Sequence, residues 1–78
     1  MSIIYVLNET EKDGSAHTIG VFDSPNVTDD KLKEYFGDDM IVLEYLDIRD
    51  SGLEWQKRVM VDGVTGVLTL HYFELNEI

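Results

Sequence analysis

The chain contains no cysteine, so neither a disulfide framework nor a thiolate metal site can supplement its core. Basic residues are scarce: 6 Lys and Arg stand against 16 Asp and Glu, a formal net charge of −10. That balance argues against direct nucleic-acid binding, which needs a basic footprint, and against an anionic membrane surface. No apolar run approaches the ~20 residues of a membrane-spanning helix. The opening Met1 to Leu7 is apolar, but it is too short for a signal peptide and lacks a basic leading region. A cytoplasmic protein is the resulting expectation. Also missing are a glycine-rich phosphate loop and a nucleophile elbow. Ser2, Ser15, Ser24 and Ser51 fall at the terminus or in turns, where serine is common without any catalytic role. A carboxylate near His71 could serve as acid or base, yet so short a chain struggles to enclose an ordinary ligand pocket. The expectation is a protein without enzymatic activity and without a cofactor.

What remains is enough for one folded domain spanning residues 1–78. The hydrophobic fraction of 44% is ordinary for a globular protein. A chain of this length has room for one small core and a net stability of roughly 4 to 12 kcal/mol. Its longest apolar run is Met40-Ile41-Val42-Leu43-Glu44-Tyr45-Leu46-Asp47-Ile48, without glycine or proline, which reads as the central strand of a sheet. Before it, Ile3–Leu7 and His17–Phe22 read as a hairpin with its turn at Asp13-Gly14, and Gly20 marks a bulge or a close backbone approach. Pro25 ends the second strand. Thr28 then caps a helix over Asp29–Phe36 that stops at Gly37, with Leu32, Tyr35 and Phe36 as its apolar stripe and Val27 as a staple. After the long run come a turn at Arg49–Gly52, a strand over Leu53–Val61, a turn at Asp62–Gly66 and a last strand over Val67–Leu75. The fold class is α+β: one small domain, a mainly antiparallel sheet of about five strands with one short helix, in the order ββαβββ.

One two-turn helix covers only part of one face of such a sheet. The third and fifth strands nevertheless carry apolar residues on both faces: Met40, Val42, Leu46 and Ile48 against Ile41, Leu43 and Tyr45, then Leu68, Leu70 and Tyr72 against Val67, Phe73 and Leu75. Either the sheet curls enough to bury both sides, or its second face meets another molecule, which could be a second copy of the chain.

The site candidates are mostly acidic. Asp30, Glu34 and Asp38 fall at i, i+4 and i+8 and form a ridge if the helix reaches position 38, with Asp29 and Asp39 beside them. Glu44 and Asp47 add charge along the long apolar run. Such a surface can compete for a basic groove, and it can equally be a solvated, solubilising face. Trp55 precedes the basic pair Lys57-Arg58, as an interface anchor would, or packs in the core while its neighbours reach solvent. A metal site is not expected. Asp29-Asp30 and Asp38-Asp39 are adjacent rather than spaced as in a calcium loop, and His17 and His71 could meet only if their strands were neighbours.

In size, charge, lack of cysteine and lack of a catalytic signature the chain resembles the small acidic proteins of phages and mobile elements, among them anti-CRISPR and anti-restriction inhibitors. Tyr5-Val6-Leu7 with Ile19-Gly20-Val21-Phe22-Asp23-Ser24 also resembles the first hairpin of small bacterial and phage domains. The resemblance implies a non-enzymatic inhibitor in the host cytoplasm, a nucleic-acid mimic occluding a basic nucleic-acid-handling protein. The resemblance carries over no functional residue; the charge pattern and the setting of Trp55 make Asp29, Asp30, Glu34, Asp38, Asp39, Glu44, Asp47 and Trp55 the expected partner-binding residues. The alternative is an interaction or accessory module of another class: an immunity protein, a toxin–antitoxin component, or a structural domain that dimerises through the open sheet face.

Overall fold

β-Branched and aromatic residues are concentrated in five segments, and each forms a strand. In the computed structural model, which describes residues 2–11 and 13–75, these are β1 (Ser2–Glu11), β2 (Ala16–Phe22), β3 (Ile41–Asp50), β4 (Leu53–Val61) and β5 (Val64–Leu75). The helix α1 (Asp29–Phe36) lies between β2 and β3. The order is ββαβββ, in a small domain that is mostly antiparallel sheet with one short helix.

Local chemistry explains most of the boundaries. The Thr28 side chain accepts a hydrogen bond from the Lys31 amide at 3.2 Å, satisfying one open donor of the first helical turn. Gly37, at φ 101°, donates its amide to the Lys33 carbonyl at 2.8 Å and ends the helix. Asp38 therefore lies beyond α1, and the ridge of three carboxylates is cut to Asp30 and Glu34. Ser51-Gly52 and Asp62-Gly63 each join two strands as a two-residue turn with positive φ at both positions (55° and 85°; 51° and 77°), the twist that suits an antiparallel hairpin. These turns are tighter than the sequence suggests, and β3 and β5 extend into them.

The strand order is β2-β1-β5-β4-β3, with every pairing antiparallel. This corrects the reading of the long apolar run. β3 is an edge strand, and the centre belongs to β5, which pairs β1 on one side and β4 on the other. Leu68 and Leu70 of β5 are fully buried, whereas Leu43 of β3 is 49% exposed and Ile41, Tyr45 and Leu46 are exposed with it. An apolar run on both faces of a strand is compatible with a buried centre or with an uncovered edge, and periodicity alone does not separate them.

β2 and β3 occupy opposite edges, so the segment joining them crosses one sheet face and carries α1 over it. Val27 and Leu32 from this segment join Leu7, Trp55, Val59, Leu68 and Leu70 in a single core. Phe36 is partly buried against that core, while Tyr35 is exposed and brings its hydroxyl close to Gly20. The Leu7–Gly20 pair is followed by Asn8–Thr18, leaving Ile19 as the extra residue of a bulge beside that glycine.

Among the described residues no element covers the opposite sheet face. Val21, Phe73 and Leu46 are exposed there, and the sheet does not curl over them. The Leu75 side chain lies outside the described ones. Among the described residues no helix is long and apolar enough to cross a membrane.

Candidate protein-binding groove

Two bulges shape β3. Val42 pairs with Val59 and Glu44 with Arg58, so Leu43 is an extra residue; a second shift falls between Asp47 and Asp50. Side chains alternate along a strand, so one inserted residue exchanges the faces of all that follow. The first bulge turns Tyr45 and Asp47 to the helix side with Trp55 and Lys57, and sends Leu46 to the open face. The sequence pattern had grouped Leu46 with Val42.

The β2–α1 loop closes over these residues. The Trp55 indole N–H donates to the Pro25 carbonyl at 3.2 Å, and the Val27 amide bonds the same carbonyl at 2.9 Å. Asp29, in the first turn of α1, pairs with Lys57 at 2.8 Å. The Lys57 ammonium also sits 4.8 Å from the Trp55 ring centroid and 5.5 Å from that of Tyr45. Lys57 is only 9% exposed, so its charge is held by one carboxylate and two ring faces.

A groove of about 740 Å³ lies between β3 and the loop and first turn at the start of the helix. Tyr45 and Trp55 supply its aromatic surface, and Asp29, Asp47 and Glu54 its carboxylates. Arg49 lies in the wall with its guanidinium 3.0 Å from Asp47.

Of the residues singled out in the sequence, the structure brings Asp29, Asp47 and Trp55 together in this groove. Trp55 is 5% exposed and belongs to the core while lining the groove floor. Glu44 points to the open face, where it pairs with Arg58. Asp30 and Glu34 are exposed on α1, and Lys31 lies 3.9 Å from Glu34. Asp38 and Asp39 are exposed beyond the helix. There Asp39 accepts a hydrogen bond from the protonated Asp62 carboxyl and repels its ionised form, raising the Asp62 pKa above the usual aspartate value.

Tyr45 and Arg49 were not identified from the sequence, because their placement depends on the two bulges. Lys57 was legible as a neighbour of Trp55 two positions along one strand. The acidic residues Glu9 and Glu11 of the first hairpin, legible as a cluster with Asp13, are met across it by His17, with 2.9 Å between the Glu9 carboxylate and the His17 imidazole. The ligand atoms of Glu9, Glu11 and His17 lie within 4.8 Å of one another, a set that could hold a divalent cation. His71 cannot join it, since β1 separates β5 from β2.

The groove is thus a surface feature with mixed charge and aromatic walls, beside an edge strand. Searches against protein-family models, curated proteins and solved structures found no match to this chain.

Proposed function

We propose that this protein is a non-enzymatic, acidic protein-binding domain that occludes a basic, nucleic-acid-handling partner, in the manner of the anti-CRISPR and anti-restriction inhibitors it resembles. The observation that carries the reading is how the charges are distributed. Lys31, Arg49, Lys57 and Arg58 each lie against a carboxylate of the same chain. Asp30, Asp38 and Asp39 have no cationic partner among the described residues, so the surface field stays strongly negative. Carboxylates in such a field can replace phosphates in a Lys- and Arg-lined channel, and the exposed apolar residues of β3 add affinity that salt does not screen.

The test is affinity capture on the immobilised chain, followed by binding measurements on the captured protein. Binding should weaken steeply as salt rises from about 50 to 500 mM, chiefly through slower association, and duplex DNA or guide RNA should compete. Reversing Asp30, Glu34 and Asp38 together should weaken it more than reversing any one. A captured partner without a nucleic-acid-binding surface, whose affinity ignores both salt and the triple reversal, would overturn the reading. The exposed Val21 and Phe73 of the open face favour a second reading, a homodimer, which sedimentation would show as a concentration-dependent mass.

A further inference from the structure

We propose that the free edge of β3 is the docking site, and that its occupant is an extended, basic segment of the partner, added as a sixth strand beside the groove. The sign of the partner's charge rests on the function proposed above; the placement rests on geometry alone.

β3 is ten residues long and carries no proline; its two bulges and its charged side chains are devices that blunt a sheet edge, so an added strand is confined to the stretch between the bulges. Its bulges leave Glu44, Tyr45, Leu46 and Asp47 in unbroken register with β4, a regular stretch whose outer backbone groups face no strand among the described residues. The other edge, β2, is shorter, at seven residues. A strand added to β3 directs alternate side chains to opposite faces. Those on the helix side enter the groove of about 740 Å³, over the Tyr45 ring and toward Glu54, the lining carboxylate with no cationic partner among the described residues, since Asp29 and Asp47 already pair with Lys57 and Arg49. That is a setting for lysine or arginine, and Lys57 already occupies the inner side of the same aromatic pair. Those on the open side meet the exposed Ile41 and Leu46. The favoured segment therefore alternates basic and apolar residues. A second copy is the wrong occupant, since it would bring two chains of net charge −10 edge to edge.

The experiment follows the amide NMR spectrum of the isotope-labelled full chain during titration with a short synthetic peptide of alternating lysine and valine. The same peptide N-methylated at alternate backbone amides is titrated in parallel. Shifts should concentrate at residues 41–49 and at the Trp55 indole, and N-methylation should weaken binding by about tenfold or more. Tyr45→Ser should weaken it too, whereas Val21→Ser and Phe73→Ser should leave it unchanged. Shifts centred on β2 or the open face, equal affinity for the N-methylated peptide, or no binding up to the order of 1 mM would each overturn the proposal. So would peptide-free dimerisation through residues 41–49. Binding at β3 that responds to N-methylation but ignores salt would uphold this site and defeat the acidic-recognition reading; salt-steep binding that maps elsewhere would do the reverse.

Discussion

Truncating one leucine at the sheet centre and one at its edge should have very different consequences. Leu70 on β5 is 0% exposed and lies in the core beside Leu7, Trp55 and Leu68. Leu70→Ala removes buried methyl groups and leaves a cavity in a core too small to relax around it, a loss of about 2 to 5 kcal/mol. Leu43 on β3 is 49% exposed and forms a bulge. Full burial of a leucine is worth about 1.5 to 3 kcal/mol, so Leu43→Ala should cost less than about 1 kcal/mol, with no cavity to add. Against a total of roughly 4 to 12 kcal/mol the first change is severe and the second minor. Trp55, the only tryptophan, sits in the core, so its fluorescence reports urea unfolding of both variants directly. Equal losses, or a larger loss at Leu43, would refute the strand order.

Asp29→Ala should cost about 1 to 2 kcal/mol, below the usual penalty for breaking a buried pair because Asp29 is itself half exposed; unfolding midpoints with Lys57→Met as the partner variant in a double-mutant cycle check it. The Asp39–Asp62 contact should make stability depend on pH. A carboxyl whose pKa is raised by folding binds its proton more tightly in the native state, so its stabilising effect is full below the unfolded value near 3.8 and is lost as pH rises through the folded one. Asp62→Asn, which keeps a residue tolerant of the positive φ, should therefore be more stable than the parent at neutral pH and lose that advantage in acid, as thermal unfolding across the range would show.

Features set by neighbours in sequence were legible before the structure. Thr28 and Gly37 bracket the helix because a cap needs a side-chain acceptor at one end and a left-handed residue at the other. β4 was legible from its alternation, with Trp55 and Val59 inward and Arg58 outward. Strand order was not legible, because pairing β1 with β5 closes the chain end to end and no local pattern encodes that contact. The groove escaped for a related reason. A one-residue bulge at Leu43 exchanges the faces of Tyr45 and Leu46, and nothing in Ile41-Val42-Leu43-Glu44 announces it. Charge was legible as a total, but its division into internal pairs and unpaired surface carboxylates needed the fold.

The central claim is that β3 presents an unpaired edge, and amide hydrogen exchange on the dilute chain tests it most directly. Amides of β5, paired on both sides, should exchange slowest of all, while alternate amides of β3 should exchange at nearly the rate of the exposed loops. Protection of every amide from Ile41 to Asp50 in a protein sedimenting as a monomer would contradict the account.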